Sequence, residues 1–116
     1  VSTSLWVWNR YFRSSRTLTG DLTDGAAATT FMHVVDGATA VNVNSLLPDA
    51  GLRQVIVWIN ANTNVLHTHT FVHESGTGTA TLKFFCPGAV NYVLAAGKMA
   101  IIWYDATLTR WRVLVF

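Results

Sequence analysis

The chain has 116 residues, the length of one domain, and combines 51% hydrophobic with only 12% charged residues, about half the charged share of an ordinary soluble domain. Its formal net charge of +2 is too small to indicate nucleic acid as a partner. No apolar run reaches the ~20 residues that span a bilayer, and the single cysteine excludes an internal disulfide. We therefore expect one domain without nucleic-acid or membrane partners, whose weakly charged surface is covered by other subunits.

Residues 1–20 are predicted to form an aromatic and basic strand or arm ahead of a β-domain over residues 21–116. Alternation over Leu5–Phe12 places apolar side chains on both faces of this strand. Trp, Tyr and Arg are favoured interface anchors, so we predict that the segment contacts a partner. Solvated arginines, or rings that stack on sugars or bases, are the alternatives. The predicted contact residues are Trp6, Trp8, Arg10, Tyr11 and Arg13.

The rest of the chain consists of short apolar or β-branched stretches separated by turn residues at intervals of about ten, a spacing typical of sandwiches and barrels. Helical periodicity is nearly absent, so no substantial helix is expected. The predicted strands are Leu5–Phe12, Thr29–Val35, Thr39–Ser45, Gln54–Ile59, Val65–His73, Thr79–Cys86, Tyr92–Leu94, Met99–Tyr104 and Trp111–Phe116. Eight or nine strands of this kind predict an all-β fold, with an antiparallel, jelly-roll-like β-sandwich as the expected architecture.

Turn chemistry, periodicity and apolar runs give three further details. Asp36–Gly37 is a strong hairpin signal between the second and third predicted strands. The period of two over Thr39–Ser45 directs Val41 and Val43 inward and Asn42 and Asn44 outward. The almost wholly apolar stretches Gln54–Ile59 and Met99–Tyr104 are expected to be central strands.

Histidines form the main candidate for metal chemistry. His67, His69 and His73 share one predicted strand, where residues two apart lie on one face about 7 Å from each other. One chain supplies too few ligands for a closed zinc site. However, His67-Thr68-His69 resembles the His-x-His metal motif of trimeric phage fibres and spikes, which implies an iron or zinc ion held by His67 and His69 across a trimer axis. The alternative is a polar strand face without metal, and no other cofactor is expected.

Catalytic signals are weak. No Gly-x-Ser-x-Gly elbow is present, and most of the six carboxylates lie in turn contexts, where Asp serves the backbone. Cys86 lies in an apolar run, which favours an inert buried thiol. We therefore do not expect an enzyme.

The C-terminal third carries a recognisable pattern. Leu94-Ala95-Ala96-Gly97-Lys98-Met99-Ala100-Ile101-Ile102-Trp103-Tyr104-Asp105, followed by Arg110-Trp111-Arg112-Val113-Leu114, resembles a hairpin pattern of tailed-bacteriophage virion proteins. The resemblance covers about residues 52–116. It implies a β-hairpin with Trp111 packed on the central strand. It also implies a location on the outer surface of a virion, as a head decoration, a head fibre, or the tip of a tail fibre or spike.

These observations lead to one functional expectation and one main alternative. We expect a homotrimeric decoration (cement) protein that binds the major capsid protein and stabilises a tailed-phage head. The alternative is a receptor- or glycan-binding tip domain of a tail fibre or spike, with His67, His69 and exposed Asn or Thr residues facing host-surface glycans. A free-standing lectin ranks third, and a hydrolase ranks last.

Overall fold

The computed structural model describes residues 13–26, 32–48 and 55–114. The prediction of an all-β fold is confirmed. The helical elements of the described residues are two 3₁₀ turns, Ala80–Leu82 and Pro87–Ala89. The strands are β1 (Arg13–Leu18), β2 (Gly25–Ala26), β3 (Met32–Gly37), β4 (Val41–Val43), β5 (Leu46–Leu47), β6 (Val55–Asn60), β7 (His69–Phe71), β8 (Phe84–Phe85), β9 (Tyr92–Leu94), β10 (Met99–Asp105) and β11 (Arg110–Leu114).

The strands form three sheets. A six-stranded sheet has the order β1-β3-β6-β10-β11-β8, a three-stranded sheet the order β4-β7-β9, and a two-stranded sheet pairs β2 with β5. In the large sheet β1, β3 and β6 are mutually parallel, and β8 is parallel to β11. Strand β10 is antiparallel to both of its neighbours, β6 and β11. The prediction of a purely antiparallel, jelly-roll-like sandwich is therefore wrong in its pairing directions, because the sheets are mixed.

The parallel pairs come from a chain that winds repeatedly through the same sheets. Residues 13–26, 32–47 and 55–71 each start in the large sheet with β1, β3 or β6. Each stretch then moves to the second sheet, where Leu22 bridges Val43 and β4 pairs with β7, in both cases in parallel. The first two stretches continue into the parallel β2–β5 pair. Parallel neighbours need a connection of about a dozen residues or more, and this winding supplies it.

The predicted hairpin at Asp36–Gly37 is a corner between sheets. Strand β3 ends at Gly37, whose N–H is accepted at 2.7 Å by the carboxylate of Asp36 and at 3.1 Å by the side-chain oxygen of Asn62. The next strand, β4, pairs with β7 in the other sheet. The turn residues therefore bend the chain as predicted, but β4 does not return beside β3.

Aromatic side chains from both larger sheets form the centre of the core. Trp58 of β6 meets Phe71 of β7 edge-on with ring centroids 5.6 Å apart, and Phe71 meets Phe84 at 5.1 Å. Trp111 is fully buried and donates its indole N–H to the carbonyl of Leu46 at 2.8 Å. Edge-to-face pairs contribute about 1 kcal/mol each beyond the burial of their area. These contacts join the described sheets around one hydrophobic core.

The hairpin predicted for the C-terminal region is present. Strands β10 and β11 are antiparallel, with Tyr104 opposite Trp111. Asp105 stabilises the connecting turn, because its carboxylate accepts the backbone N–H groups of Thr107 at 3.1 Å and Leu108 at 3.2 Å. At the start of β10, Gly97 has a φ of 79°, a left-handed conformation that glycine adopts without a steric penalty.

Three local expectations need correction. The strand predicted over Val65–His73 is limited to β7, because Val65 and Leu66 lie in a turn. Most of the strand predicted over Thr79–Cys86 is a 3₁₀ turn followed by the short β8. Asn44 is buried, although it was predicted to face outward; its amide donates to Thr23 Oγ1 at 3.0 Å and accepts from Ser75 Oγ at 3.2 Å. Paired side-chain hydrogen bonds offset the cost of burying the amide.

Candidate functional site

Of the five predicted contact residues of the N-terminal segment, the structure describes one. Trp6, Trp8, Arg10 and Tyr11 lie outside the described residues, and Arg13 is the first residue of β1. Strand β1 pairs with β3, and Leu18 lies in the core. Residues 13–18 are therefore an integral part of the large sheet, and the contact role of the five residues stays a prediction.

The predicted metal ligands are not presented together to a partner. His69 is fully buried, and its Nδ1 accepts the indole N–H of Trp58 at 3.1 Å. The side-chain amide of Asn62 lies 3.2 Å from Nε2 of the same ring. His67 precedes β7 and is half-buried. A metal ion shared between chains requires both imidazoles to face the partner, so the burial of His69 argues against a site formed by His67 and His69.

Asn60 and Asn62 complete a buried polar network around His69. Asn60 is fully buried and donates to the carbonyls of His67 and Leu94, each at 3.0 Å. Its side-chain oxygen accepts the Asn62 amide at 2.6 Å. A satisfied network of this kind fixes one arrangement of the core. It explains why these polar side chains can lie beneath the turn between β6 and β7.

Two histidines are held neutral by burial. Burial lowers the pKa of His69 from 6.5 to about 4, although the negative charge of Asp36 acts in the opposite direction. The pKa of His33 is also lowered from 6.5 to about 4, mainly by burial and additionally by the positive charge of Arg16. His33 Nδ1 lies 2.8 Å from Ser14 Oγ, whereas its buried Nε2 has no hydrogen-bond partner. Both rings act as parts of the core.

Cys86 is buried, as the sequence indicates. Its side chain is fully buried and its Sγ donates to the carbonyl of Phe71 at 3.4 Å. Burial raises the pKa of the thiol to about 11, so almost no thiolate is present at neutral pH. His73 lies nearby, but its Nδ1 accepts the backbone N–H of Cys86 at 3.1 Å. The pair therefore stabilises the chain at β8 and is not arranged as a nucleophile with its base.

The described carboxylates all have structural partners. Asp24 accepts from Ser45 Oγ at 2.7 Å and from the Thr79 hydroxyl at 2.5 Å, and these contacts join three distant segments. Glu74 pairs with Arg110 at 2.8 Å. Asp21, Asp36 and Asp105 each accept at least one backbone N–H. In residues 13–26, 32–48 and 55–114 no group of three or more His, Cys, Asp or Glu side chains is arranged to hold a metal ion.

The most unusual surface is the outer side of the six-stranded sheet. The core and the two smaller sheets occupy its inner side, where Trp58 and Trp111 make their contacts. On the outer side, register places apolar residues next to one another in three rows across the strands. We call this surface the outer sheet face; its apolar members are Met32, Val34, Val55, Val57, Ile59, Phe85, Met99, Ile101, Trp103 and Leu114.

Several members of the outer sheet face are well exposed. Met99 is 57% exposed, and Val55 and Leu114 are each 45% exposed. Arg112, which also points outward, lies over the ring of Phe85 at 5.2 Å and contacts the carboxylate of Asp105 at 3.3 Å. Sheets with one solvated face normally alternate apolar and polar residues. The outer sheet face breaks that rule and is the strongest candidate for a binding surface.

A shallow pocket of about 380 Å³ opens at one end of the outer sheet face. Trp103 and Phe85 form its aromatic walls, Pro87 and Gly88 close one side, and Arg112 is its charged group.

The sequence signal for the outer sheet face is the apolar character of Gln54–Ile59 and Met99–Tyr104. These stretches were interpreted as central strands, which they are, but residues apolar at both odd and even positions also predict a second covered face.

Comparisons with known proteins add no assignment: no family model, curated protein or solved structure matches the chain. None of the helical elements in the described part of the chain is long and apolar enough to cross a membrane.

Proposed function

We propose that the chain is a non-catalytic structural subunit on the outer surface of a tailed-phage particle, as a homotrimeric decoration (cement) protein bound to the major capsid protein. The observation that carries the proposal is the resemblance of Leu94–Asp105 and Arg110–Leu114 to a pattern of phage virion proteins. In the fold, these residues are the last residue of β9, the turn that follows it and the hairpin β10–β11.

Two properties of the surface support a structural subunit. The chain carries about half the usual share of charged residues, and the outer sheet face exposes the apolar side chains of Val55, Met99 and Leu114. Both are properties of proteins that are covered by partners. The described carboxylates and Cys86 are used in hydrogen bonds, ion pairs or the core, which favours a structural function over a hydrolytic one.

The turn between β6 and β7 favours the alternative, a receptor- or glycan-binding tip domain of a tail fibre or spike. It projects Val65, which is 79% exposed, and Leu66, which is 75% exposed. Thr63 and Asn64 on the same turn are exposed and polar. A turn with exposed apolar and amide side chains suits contact with a receptor. His69 does not contribute to such a surface, because it is buried.

Copy number on purified particles distinguishes these functions. Quantitative mass spectrometry of particles, with the major capsid protein as the internal reference, is expected to find the chain in hundreds of copies. A few copies per particle would refute the decoration function and support the tip domain. Complete absence from particles would refute both. As a second measurement for the tip domain, glycan-array binding that is lost in Asn64→Ala would support it.

A further inference from the structure

We propose that the shallow pocket lined by Trp103, Arg112 and Phe85, here called the Trp103 pocket, binds an acidic sugar of the hexuronic acid type. The first argument is the order of these side chains in one row of the outer sheet face. Trp103 of β10 is the register partner of Arg112 of β11, and Arg112 is the partner of Phe85 of β8. The row therefore places a guanidinium between two aromatic residues, and all three line a pocket of about 380 Å³.

Arg112 is held in place and still has donors to offer. Its Nε donates to the carboxylate of Asp105 at 3.3 Å, and its Cζ lies over the ring of Phe85 at 5.2 Å. His73 meets the same ring edge-on at 4.8 Å, which fixes the ring beneath the guanidinium. Among the residues that the structure describes, none accepts a hydrogen bond from the two terminal nitrogens of Arg112, and the side chain is 36% exposed. Such a fork binds a carboxylate through two parallel hydrogen bonds.

The carboxylate of Asp105 orients Arg112 and leaves the fork open. Its Oδ1 accepts the backbone N–H groups of Thr107 and Leu108, and its Oδ2 accepts Nε of Arg112. Both oxygens are therefore used on the side of the turn and of Nε. The edge formed by Nη1 and Nη2 stays available to an anionic ligand. Asp105 is thus a positioning residue for Arg112, in the way that carboxylates orient other functional side chains.

Trp103 determines what the anionic group is attached to. Its half-buried indole offers an aromatic surface, on which the apolar C–H face of a sugar ring can pack. Register partners such as Trp103 and Arg112 have Cβ atoms about 5 Å apart. A ring on the indole therefore brings a directly attached carboxylate to the guanidinium, whereas a carboxylate on a long arm would reach past it. A hexuronic acid carries its carboxylate directly on the ring.

The shallow form of the pocket favours a sugar over an aromatic acid. Pockets for small apolar molecules usually cover about 70–90% of the ligand surface. The Trp103 pocket opens on the outer sheet face, with Pro87 and Leu114 completing its apolar lining. It can cover one face of a ring and leave the edge of that ring in water. The hydroxyl groups of a sugar stay hydrated in this arrangement, so they carry no desolvation cost.

The test titrates the protein with tetragalacturonate at low salt and follows the indole N–H signals by NMR, with the Trp103 signal assigned from Trp103→Phe. Arg112→Gln removes the guanidinium, and Arg112→Lys keeps the charge without the fork. Arg110→Gln is the matched control, because it removes a charge and an ion pair, with Glu74 at 2.8 Å, from the same strand but outside the pocket. The signal dispersion of each spectrum verifies folding.

We expect the wild type and Arg110→Gln to bind with a Kd of about 1 mM or tighter and to shift the Trp103 signal. Arg112→Gln and Arg112→Lys are expected to bind at least about tenfold more weakly, because an ammonium group cannot form the paired hydrogen bonds. Absence of binding by the wild type at about 10 mM overturns the proposal. So does Arg112→Lys with wild-type affinity, or an equal loss of affinity in all three variants.

A second measurement uses the wild type alone, so that the test does not depend on how the variants fold. Maltotetraose, benzoate and inorganic phosphate are each expected to shift the Trp103 signal at least about tenfold more weakly than tetragalacturonate, because each lacks either the carboxylate or the sugar ring. Equal binding of the neutral sugar, of the aromatic acid or of phosphate overturns the acidic-sugar assignment. The outcome is separate from the virion function: binding by a chain that is absent from particles refutes only that function, and an abundant virion protein without binding refutes only the pocket.

Discussion

Acid is expected to weaken the fold well before the carboxylates are protonated, because two buried histidines bind protons only after unfolding. In the folded chain the pKa values of His33 and His69 are about 4, against 6.5 for a solvated histidine. The unfolded state therefore takes up more protons between these two values, and stability falls as pH decreases from about 6.5 to about 4. Above pH 7 both states are neutral at these positions, and the effect disappears.

The magnitude follows from the two pKa values. The difference between 6.5 and about 4, at about 1.4 kcal/mol per pH unit, gives about 3 kcal/mol for each histidine once the solution is below pH 4. At about pH 5 roughly 2 kcal/mol is lost at each site, or about 4 kcal/mol for both. That is a large part of the 5–15 kcal/mol by which domains are usually stable.

The assay is urea unfolding at a series of pH values from 7 to 4.5, followed by tryptophan fluorescence. His69→Gln is expected to remove about half of the pH dependence, whatever it does to stability at pH 7. His67→Gln is the matched control, since it makes the same change at a half-buried position of the same segment. Equal midpoints at pH 7 and pH 5 in the wild type, or equal pH dependence in the two variants, would refute the reasoning.

Three further predictions concern the core, a turn and the thiol. Trp111→Phe is expected to lower the free energy of unfolding by about 1–3 kcal/mol, because the buried Leu46 carbonyl loses its indole donor; urea midpoints measure it, and an unchanged midpoint contradicts the role of that bond. Gly97→Ala is expected to lower the free energy of unfolding by about 1 kcal/mol, because Gly97 has a φ of 79°. Gly76→Ala is the neutral control in the same thermal melts, because its added Cβ meets nothing within 4 Å. Cys86 is expected to react with a thiol reagent at least about 100-fold more slowly in the native protein than in urea, and comparable rates would contradict its burial.

Local sequence signals predicted about half of the described strands. Periodicity identified β3, β4, β6, β10 and β11, with ends that differ by a few residues, because alternation reports which side chains are buried. The turns predicted at Gly97 and Asp105 are also present: Gly97 has a left-handed conformation, and the Asp105 carboxylate accepts backbone N–H groups of its turn. Pairing direction was not predictable in this way. Asp36–Gly37 bends the chain whether β4 lies beside β3 or in another sheet, and only distant partners such as β7 decide between them.

The histidine site likewise shows that local sequence patterns do not predict which distant residues will surround a side chain. His67-Thr68-His69 suggests ligands by spacing alone, but Trp58 and Asn62 occupy the surroundings of His69. These contacts come from elements that pack together only in the folded chain. The outer sheet face was not singled out from the sequence, because a strand's apolar residues do not by themselves show which side of the sheet is covered. Val55 and Met99 belong to strands that the sequence marks as central, and the three-dimensional arrangement shows that their side chains are exposed on the side opposite the core.

The position of β10 determines when the strands of the large sheet can pair during synthesis. Strand β10 lies between β6 and β11, and it therefore joins the parallel strands β1, β3 and β6 to the later strand β11. Until residues 99–114 have left the ribosome, β6 lacks its partner on one side and its apolar residues stay open to solvent. The β10–β11 pair is also the most local contact of the large sheet, and local contacts close fastest. The β10–β11 hairpin is thus made after the strands that it completes, and it is the part best placed to start assembly of the large sheet.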